Sequence, residues 1–358
     1  MKCFILVTAG IEDVAIIELL ELVGKNGKKV GSGILEADLN PEEILNLCSY
    51  SQSFRRILVA VSQNTDLKKI NFSQLIYPHF FSDKSTFKFE IEGIKGNENR
   101  LNLCRQLATE LIAITKKSSH LNLTVDLKKP DVLFLLFFTD NIFFLGIDCC
   151  GLELDKRPYR LFPHKASFRG DLAYFFLRKS GWNKKDSLVI GFIKDGVLPI
   201  EAALFFSGKK INSGPFLCSN FPIFQNITPA ITPEKTDLFS SIVAFDDNLM
   251  NIRATQKNLQ LAGVTKLVKV HKLTLEDLGL EFSSNSINHL ILYITKKDED
   301  AINEIYLQVH LTLRKKGTLL LIGRQQWDMP ISTKFNLSFN GIIHKGESNL
   351  KYWVLEKK

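Results

Sequence analysis

The chain has 358 residues, of which 45% are hydrophobic and 10% aromatic, and its formal net charge is +8. This composition is typical of a globular protein with an ample core, and the length predicts two or three domains rather than one. No stretch reaches the roughly 18 uninterrupted apolar residues that a membrane span needs, which excludes an ordinary transmembrane protein.

The excess positive charge lies entirely in the second part of the chain. Residues 1–150 carry 17 Lys and Arg against 18 Asp and Glu, whereas residues 151–358 carry 29 against 20. We therefore expect an anionic partner for the second part, RNA before a membrane, because no basic amphipathic helix is apparent. A lysine-rich proteome would produce the same excess as a solvated face, and this alternative stays open.

Cysteine and histidine usage argues against a metal site and against a disulfide framework. The chain has six cysteines and seven histidines but no CxxC, HxxxH or HxE pattern. We therefore expect no bound metal and a reducing, cytoplasmic compartment. The N-terminal run KCFILVTA is followed by acidic residues instead of a small-residue cleavage site, so it predicts a strand entering a helix and not a signal peptide.

Residues 1–57 show a β-α-β pattern. KCFILVTA predicts a strand, residues 11–22 a helix, KKVGSGILEADL an extended region, and the next helix starts at Pro41. Residues 58–150 continue with strand, helix, strand and helix, and end in the hairpin VLFLLFF/NIFFLGID. Strands and helices mixed in this way predict an α+β domain with an antiparallel sheet.

The pattern changes to regular alternation from residue 165. The strands SLVIGF, SSIVAFDD, KLVKVH, NHLILYI and GTLLLIG alternate with helices, and a loop rich in Pro, Asn and Ser covers residues 212–236. GIIHKG and KYWVLEKK predict a closing antiparallel hairpin. Apolar parallel strands separated by helices predict an open α/β sheet that binds any ligand at the carboxyl ends of its strands.

The loop after SLVIGF leads into a helix predicted to start at Pro199. A nucleotide-like cofactor binds at such a junction because glycines admit the ligand and the helix N-terminus offers free amides. Only Gly196 lies near the helix start, and Lys194 and Asp195 stand where a cofactor would approach the backbone. An ordinary loop of an α/β fold is the alternative interpretation.

The strand SSIVAFDD ends in Asp246 and Asp247. An acidic residue at this place holds ribose hydroxyls in α/β cofactor domains, but an acid just before a helix also caps that helix. We assign Asp246 to the ribose and Asp247 to the helix cap. The alternative is that both residues cap the helix.

The stretch DKRPYRLFPHKASFRGDLAY, residues 155–174, interleaves cations with aromatic rings. Cations beside stacking surfaces suit a nucleic-acid backbone with an unstacked base. In the alternative interpretation, the stretch is a structural linker whose arginines bind carboxylates and helix C-termini. The residues predicted to contact RNA are Lys156, Arg157, Tyr159, Arg160, Lys165 and Arg169.

The same stretch, extended to GIDCCGLELDKRPYRLFPHKASF, resembles the segment that joins the two halves of THUMP-domain RNA methyltransferases. These enzymes methylate the exocyclic amine of guanine in tRNA or rRNA, and their pattern reads roughly G-x-D-T-x-G-x-x-L-H-K-R-x-Y-R, then H-P-A and a helix. Other segments along the whole chain, such as PIEAAL and GIIHKGESNLKYWVLEKK, resemble the same family. The chain matches the joining pattern at Asp148, Gly151, Leu154, Lys156, Arg157, Tyr159, Arg160, His164 and Ala166, and departs from it at Cys149, Asp155, Pro158 and Lys165.

The resemblance implies four parts in the chain. They are a ferredoxin-like region over 1–57, a THUMP domain over 58–150, a linker over 151–170 and a class I methyltransferase domain over 171–358. The THUMP domain would bind a structured RNA end and, with the first region, form the α+β N-terminal part. The methyltransferase domain would be a Rossmann-like α/β fold, a parallel sheet with an antiparallel C-terminal strand.

The two chemical motifs of this family do not match. Its cofactor loop reads D-P-x-C-G-S-G-T and aligns with residues 190–197, where Gly196 is the one glycine of the motif that is present. Binding of S-adenosylmethionine (SAM) would therefore rest on Asp246, Gly196 and the charge of Asp195. The N-P-P-Y motif that holds the target amine aligns with Tyr293, Ile294, Thr295 and Lys296, none of which matches.

The leading hypothesis is a THUMP-type protein that binds tRNA or rRNA and has lost most or all SAM-dependent transfer, acting as a partner of an active paralogue. One alternative is an active guanine-N2 methyltransferase with divergent loops. A second alternative is a non-catalytic scaffold for an active paralogue. No membrane partner is expected.

Overall fold

The computed structural model describes residues 1–72, 75, 77–228, 242–295, 299–327, 329–345 and 348–358. The chain forms two compact units, here called the first and the second unit. The first comprises Met1–Leu154 and Asn212–Thr232, and the second comprises Asp155–Ile211 and Pro233–Lys358. The change from one unit to the other after Leu154 lies inside the linker predicted over 151–170.

The first unit is an α+β structure built on one sheet of eight strands. Its elements are β1 (Lys2–Val7), α1 (Glu12–Val23), β2 (Lys28–Gly31), β3 (Ile34–Asp38), α2 (Pro41–Tyr50), β4 (Phe54–Asn64), α3 (Tyr77–Phe80), β5 (Thr86–Glu92), α4 (Asn97–Ser118), β6 (Thr124–Val125), β7 (Val132–Thr139) and β8 (Ile142–Asp148). The strand order is β2-β3-β1-β4-β8-β7-β5-β6. Neighbours pair antiparallel except that β5 runs parallel to β6 and β7, because the helix α4 carries the chain back between them.

Helix α2 begins at Pro41, as predicted, and its start is stabilised by a capping box. The Asn40 side chain accepts a hydrogen bond of 2.8 Å from the Glu43 backbone, and the Glu43 carboxylate accepts one of 2.8 Å from the Asn40 backbone. The extended region predicted over 28–39 is a hairpin, since β2 and β3 pair antiparallel.

The boundary predicted at residue 57 falls inside β4. This strand pairs with β1 along one edge and with β8 along the other. The ferredoxin-like and THUMP regions of the prediction therefore share one continuous sheet.

The segment after residue 211 returns to the first unit, which the sequence pattern did not predict. It forms two short 3-10 turns at Leu217–Asn220 and Pro222–Phe224. The ring of Phe221 lies edge-on against Phe80 with centroids 5.8 Å apart. Residues 229–236 of the predicted loop lie outside the described residues.

The second unit is the α/β fold that the alternating pattern predicted. Its elements are α5 (Gly170–Lys179), β9 (Leu188–Gly191), α6 (Val197–Ser207), β10 (Ile242–Asp246), α7 (Leu249–Leu261), β11 (Val268–Lys272), α8 (Leu278–Glu281), β12 (Ile287–Tyr293), α9 (Glu299–Thr312), β13 (Leu313–Arg324), β14 (Phe335–Lys345) and β15 (Ser348–Lys357). The strand order is β11-β10-β9-β12-β13-β15-β14. Strands β9 to β13 run parallel, and β15 lies antiparallel between β13 and β14. The Rossmann-like fold with an antiparallel C-terminal strand is confirmed.

The core of the second unit consists of these apolar strands and the helices packed on them. All four residues of β9 are buried, as expected for a central parallel strand covered on both faces. Within the described part of the chain, no helix combines the length and the apolar character needed to cross a membrane.

Candidate functional site

The candidate site lies where the carboxyl ends of β9, β10 and β12 meet, because these strands are neighbours and run parallel. The loop after β9 contains three residues with left-handed φ, namely Phe192 at 58°, Lys194 at 57° and Gly196 at 79°. Side chains disfavour this region, which glycine adopts freely. Lys194, aligned with the first glycine of the family motif, therefore has the backbone conformation of a glycine.

Gly196 is required by the local packing. A Cβ atom there would lie 2.5 Å from Thr255 Cγ2 on α7. Gly196 also precedes α6, which begins at Val197 and so two residues before the predicted start at Pro199. Both the close approach and the positive φ demand glycine whether or not a cofactor binds.

The Asp195 carboxylate points into the protein. It is fully buried and accepts hydrogen bonds from Arg160 Nε at 2.8 Å, from the His164 backbone at 3.0 Å and from the Ser167 hydroxyl. These donors hold the segment before α5 against the loop after β9. The prediction that Asp195 attracts the SAM ammonium group is therefore corrected, because both carboxylate oxygens already accept hydrogen bonds within the protein.

The Asp246 carboxylate is likewise buried and hydrogen-bonded within the protein. Its oxygens accept from the backbone of Lys194 at 3.2 Å and of Asn248 at 3.0 Å, and from Asn251 Nδ2 at 2.9 Å. The cap of α7 is Asn248, whose side chain accepts from Met250 at 2.8 Å. The prediction that Asp247 caps this helix is wrong.

Tyr293 occupies the place of the motif that would hold the target amine. Its ring packs on Phe168 with centroids 4.3 Å apart, and its hydroxyl donates to the Ala166 carbonyl at 2.8 Å. Burial raises the pKa of the Tyr293 phenol. Ile294 is buried and Thr295 half-buried, while Lys296 lies outside the described residues.

One small cavity lies at this edge of the sheet. A cavity of about 10 Å³ is lined by the loop after β9, the start of α6, Phe168, Ile291 and Tyr293. Such a volume holds about one water molecule, whereas pockets for cofactor-sized ligands measure about 300 Å³ or more. In this arrangement Phe168 and Tyr293 line the cavity, and the carboxylates of Asp195 and Asp246 are engaged with protein donors.

Two of the predicted RNA contacts are buried instead. Arg157 donates to Glu201 on α6 through Nε at 2.7 Å and through a terminal nitrogen at 3.1 Å, and the Tyr159 hydroxyl donates to the same carboxylate at 2.7 Å. Burial opposes the charge of Arg157, but the Glu201 carboxylate outweighs it and raises the pKa of the guanidinium. Arg157 and Tyr159 cannot contact RNA from this position, so their predicted role is corrected and the linker interpretation describes them.

The other four predicted contacts differ in exposure. The side chain of Arg160 is 21% exposed and bound to Asp195, and that of Arg169 is 44% exposed and lies 3.2 Å from Asp155 and 3.1 Å from Asp171. Lys156 and Lys165 are exposed. The two lysines are the members of this set best placed to meet a phosphate backbone.

Exposed cations in the first unit were not singled out from the sequence. Four lysines and one histidine around the end of α4 and after β6 are exposed; they are Lys116, Lys117, His120, Lys128 and Lys129. The pairs KK at 116–117 and 128–129 were the available signal, hidden by the balanced charge of residues 1–150. The described residues contain no group of three or more His, Cys, Asp or Glu arranged to hold a metal ion.

Comparison with known proteins finds a family similar to part of this chain. Residues 157–291 match the family UPF0020, described as RMKL-like, methyltransferase domain. The ribosomal RNA large subunit methyltransferase K/L of Buchnera aphidicola subsp. Schizaphis graminum is 26% identical over 363 residues, covering 92% of this chain and 50% of that protein. The tRNA (guanine(6)-N2)-methyltransferase of Methanocaldococcus jannaschii is 28% identical over 125 residues, covering 34% of this chain and 33% of that protein. The chain spans about half or less of the length of these curated relatives.

Solved structures share the fold. TrmN from Thermus thermophilus superposes with a TM-score of 0.71 at 16% identity, covering all of both chains. SMU.472, solved in complex with SAH, superposes with a TM-score of 0.78 at 17% identity, covering 100% of this chain and 98% of that one. The family match agrees with the resemblance drawn from the sequence, and the solved structures confirm the fold: residues 157–291 are similar to the methyltransferase domain of the RMKL-like family UPF0020.

Proposed function

We propose that this protein is a THUMP-type RNA-binding member of the guanine-N2 methyltransferase family, in which SAM-dependent methyl transfer is lost or much weakened. Its ligand would be tRNA or rRNA, the substrates in the names of its curated relatives. The observation that carries the proposal is the Tyr293 ring, which fills the catalytic edge of the sheet between Phe168 and the loop after β9.

The chemistry explains why this filling matters. SAM, when bound, supplies the methyl group, and the enzyme must hold the guanine amine in line with it. Positioning and electrostatic stabilisation of that kind are commonly worth several kcal/mol of barrier. None of the described residues at 293–295 carries the side-chain amide that the family motif provides. We expect transfer without it to be very slow.

RNA binding is supported by charge and exposure. Lys156 and Lys165 are exposed, and so are the lysines at the end of α4 and after β6 in the first unit. Exposed lysines contact phosphates and release counterions, which makes affinity fall with salt. The chain would then present RNA to an active paralogue instead of modifying it.

Calorimetry with SAM, and methyl incorporation into bulk tRNA and rRNA, test the loss of transfer. The tRNA methyltransferase of M. jannaschii serves as the positive control. We expect no binding at about 100 μM SAM, which means a binding free energy weaker than about 5.5 kcal/mol, and no incorporation above background. Micromolar binding with steady turnover would instead establish the active-enzyme alternative.

A filter-binding or fluorescence assay with tRNA and rRNA fragments tests the RNA function. Lys156→Glu/Lys165→Glu should weaken binding about tenfold or more and flatten its salt dependence. Lys266→Glu/Lys269→Glu, an exposed pair elsewhere on the second unit, is the matched control and should have little effect. If wild-type protein binds neither RNA at low salt, the scaffold alternative is the correct one.

A further inference from the structure

The outer edge of β14 is a sheet edge that exposes apolar side chains. β14 is the last strand of the sheet in the second unit and pairs only with β15 among the described strands. Residues 335–343, FNLSFNGII, contain no charged side chain. Leu337, Phe339 and Ile342 are 41%, 52% and 50% exposed. A free row of backbone donors and acceptors with exposed apolar side chains is a template for another strand.

The other three sheet edges carry protective features. The edge strand β11 contains Lys269 and Lys272, and β2 contains Lys28 and Lys29. The fourth edge, β6, is two residues long. Lysines and short length are the usual devices against edge pairing. β14 has 11 residues and carries a lysine only at its last position, Lys345, so residues 335–343 lack both devices.

The regular part of β14 defines where pairing can occur. A bulge interrupts the register with β15 between Leu337 and Phe339, after which pairing is continuous from Phe339 to Lys345. Bulges twist an edge away from new partners, which leaves residues 339–343 as the usable segment. Phe339, Gly341 and Ile343 alternate onto one face of the sheet, and Asn340 and Ile342 onto the other.

We propose that the partner is a second copy of this chain, with β14 of each copy paired antiparallel about a two-fold axis at Gly341. This register sets Phe339 opposite Ile343 of the other copy, and Asn340 opposite Ile342. Homotypic pairing of an uncharged segment brings no like charges together, and a two-fold interface uses one surface twice. The two seven-stranded sheets become one continuous sheet across the dimer.

Sedimentation velocity of the full chain from about 1 to about 100 μM, the range of moderate affinities, tests the proposal. Wild type should shift from monomer to dimer with concentration. Ile342→Lys places two lysines at the new interface and should weaken the dimer at least about tenfold. Asn336→Lys, an exposed position before the bulge, is the matched control and should leave the dimer intact.

The thermal unfolding midpoint of each variant is measured alongside, since both positions are exposed and should tolerate lysine. A wild-type protein that stays monomeric at the highest concentration overturns the proposal. A natively folded Ile342→Lys variant that dimerises like wild type overturns it as well. Neither result bears on SAM or RNA binding, so the two proposals fail separately.

Discussion

The hydroxyl of Tyr293 donates a hydrogen bond of 2.8 Å to the carbonyl of Ala166. This bond joins the end of β12 to the segment before α5, and the Tyr293 ring lies on Phe168 in the same segment. Tyr293 aligns with the first residue of the N-P-P-Y motif. Here it connects these two segments of the protein through a hydrogen bond and a ring contact. Its contacts lie within the protein, and the proposed loss of methyl transfer is consistent with them.

Removing the Tyr293 hydroxyl should therefore destabilise the second unit. Tyr293→Phe leaves the Ala166 carbonyl without its donor, which we expect to lower the free energy of unfolding by about 1 kcal/mol. Tyr306→Phe is the control, since the Tyr306 hydroxyl is buried with no hydrogen-bond partner among the described residues. That variant should be neutral or slightly stabilised. Urea denaturation of both measures the contrast, and equal losses would contradict the stabilising role of this hydrogen bond.

The loop after β9 should be stabilised by restoring glycine. Lys194 has φ of 57°, which costs a residue with a side chain about 1–2 kcal/mol, while glycine gives back about 0.5–1 kcal/mol in chain entropy. Lys194→Gly should therefore raise the free energy of unfolding by up to about 1 kcal/mol. Its matched opposite is Gly196→Ala, which meets Thr255 at 2.5 Å and should cost about 2 kcal/mol or more. If Lys194→Gly instead lowers the free energy of unfolding, the lysine side chain must stabilise the fold by more than its left-handed φ costs.

The order of elements in the second unit was predictable because each strand is a short apolar run and each helix has its own period. The chain position of Gly196 and Pro199 located the loop after β9 to within two residues. What the pattern could not give is which charged residues are buried. Arginine is normally exposed, so Arg157 pointed to RNA. The available signal was Glu201, a carboxylate inside the otherwise apolar helix VLPIEAALFFS, which had to find a cation.

The sequence also could not show which distant segments of the chain come together in the fold. Residues 212–228 lack apolar periodicity, so nothing marked them as part of the first unit. The Tyr293 and Ala166 pair joins positions 127 residues apart, and only the folded sheet brings them together. Alignment with the family motif identified Tyr293 as a site residue, but it could not show that the Tyr293 hydroxyl bonds to Ala166.

The buried thiols of the first unit should make it sensitive to alkaline pH. Burial raises the pKa of Cys3 from 9.0 to about 12, and raises those of Cys48, Cys149 and Cys150 as well. The unfolded chain loses these protons near pH 9 while the folded chain keeps them. Stability is therefore full below pH 9 and falls as the pH rises toward the folded values, by about 1 kcal/mol per pH unit for each thiol.

Urea midpoints from pH 7 to about pH 10 measure this fall, and Ellman's reagent gives an independent readout. All six cysteines are free, and Cys104 is the half-buried one. In the native protein we expect Cys104 to react first and the five buried thiols to react only on unfolding. Rapid reaction of several thiols in the folded state at neutral pH would contradict the burial of this cluster.

The Arg157 and Glu201 pair should be among the costliest contacts to break in the second unit. Both side chains are fully buried and bidentate, so Arg157→Met strands a carboxylate away from water. We expect a loss of about 3–5 kcal/mol in the free energy of unfolding. Arg253→Met removes an exposed arginine on α7 and should cost less than about 1 kcal/mol.

The double variant Arg157→Met/Glu201→Leu tests whether the two side chains stabilise the protein as a pair or independently of each other. It removes both charges of the pair together, so its cost should be below the sum of the single variants, with coupling of at least about 1 kcal/mol. The Tyr159 hydroxyl loses its acceptor in this background, which sets a remaining cost of about 1 kcal/mol or more. Additive losses would mean that the two side chains act separately. RNA affinity measured on the folded double variant should match wild type, because both side chains of the pair are fully buried and cannot contact RNA.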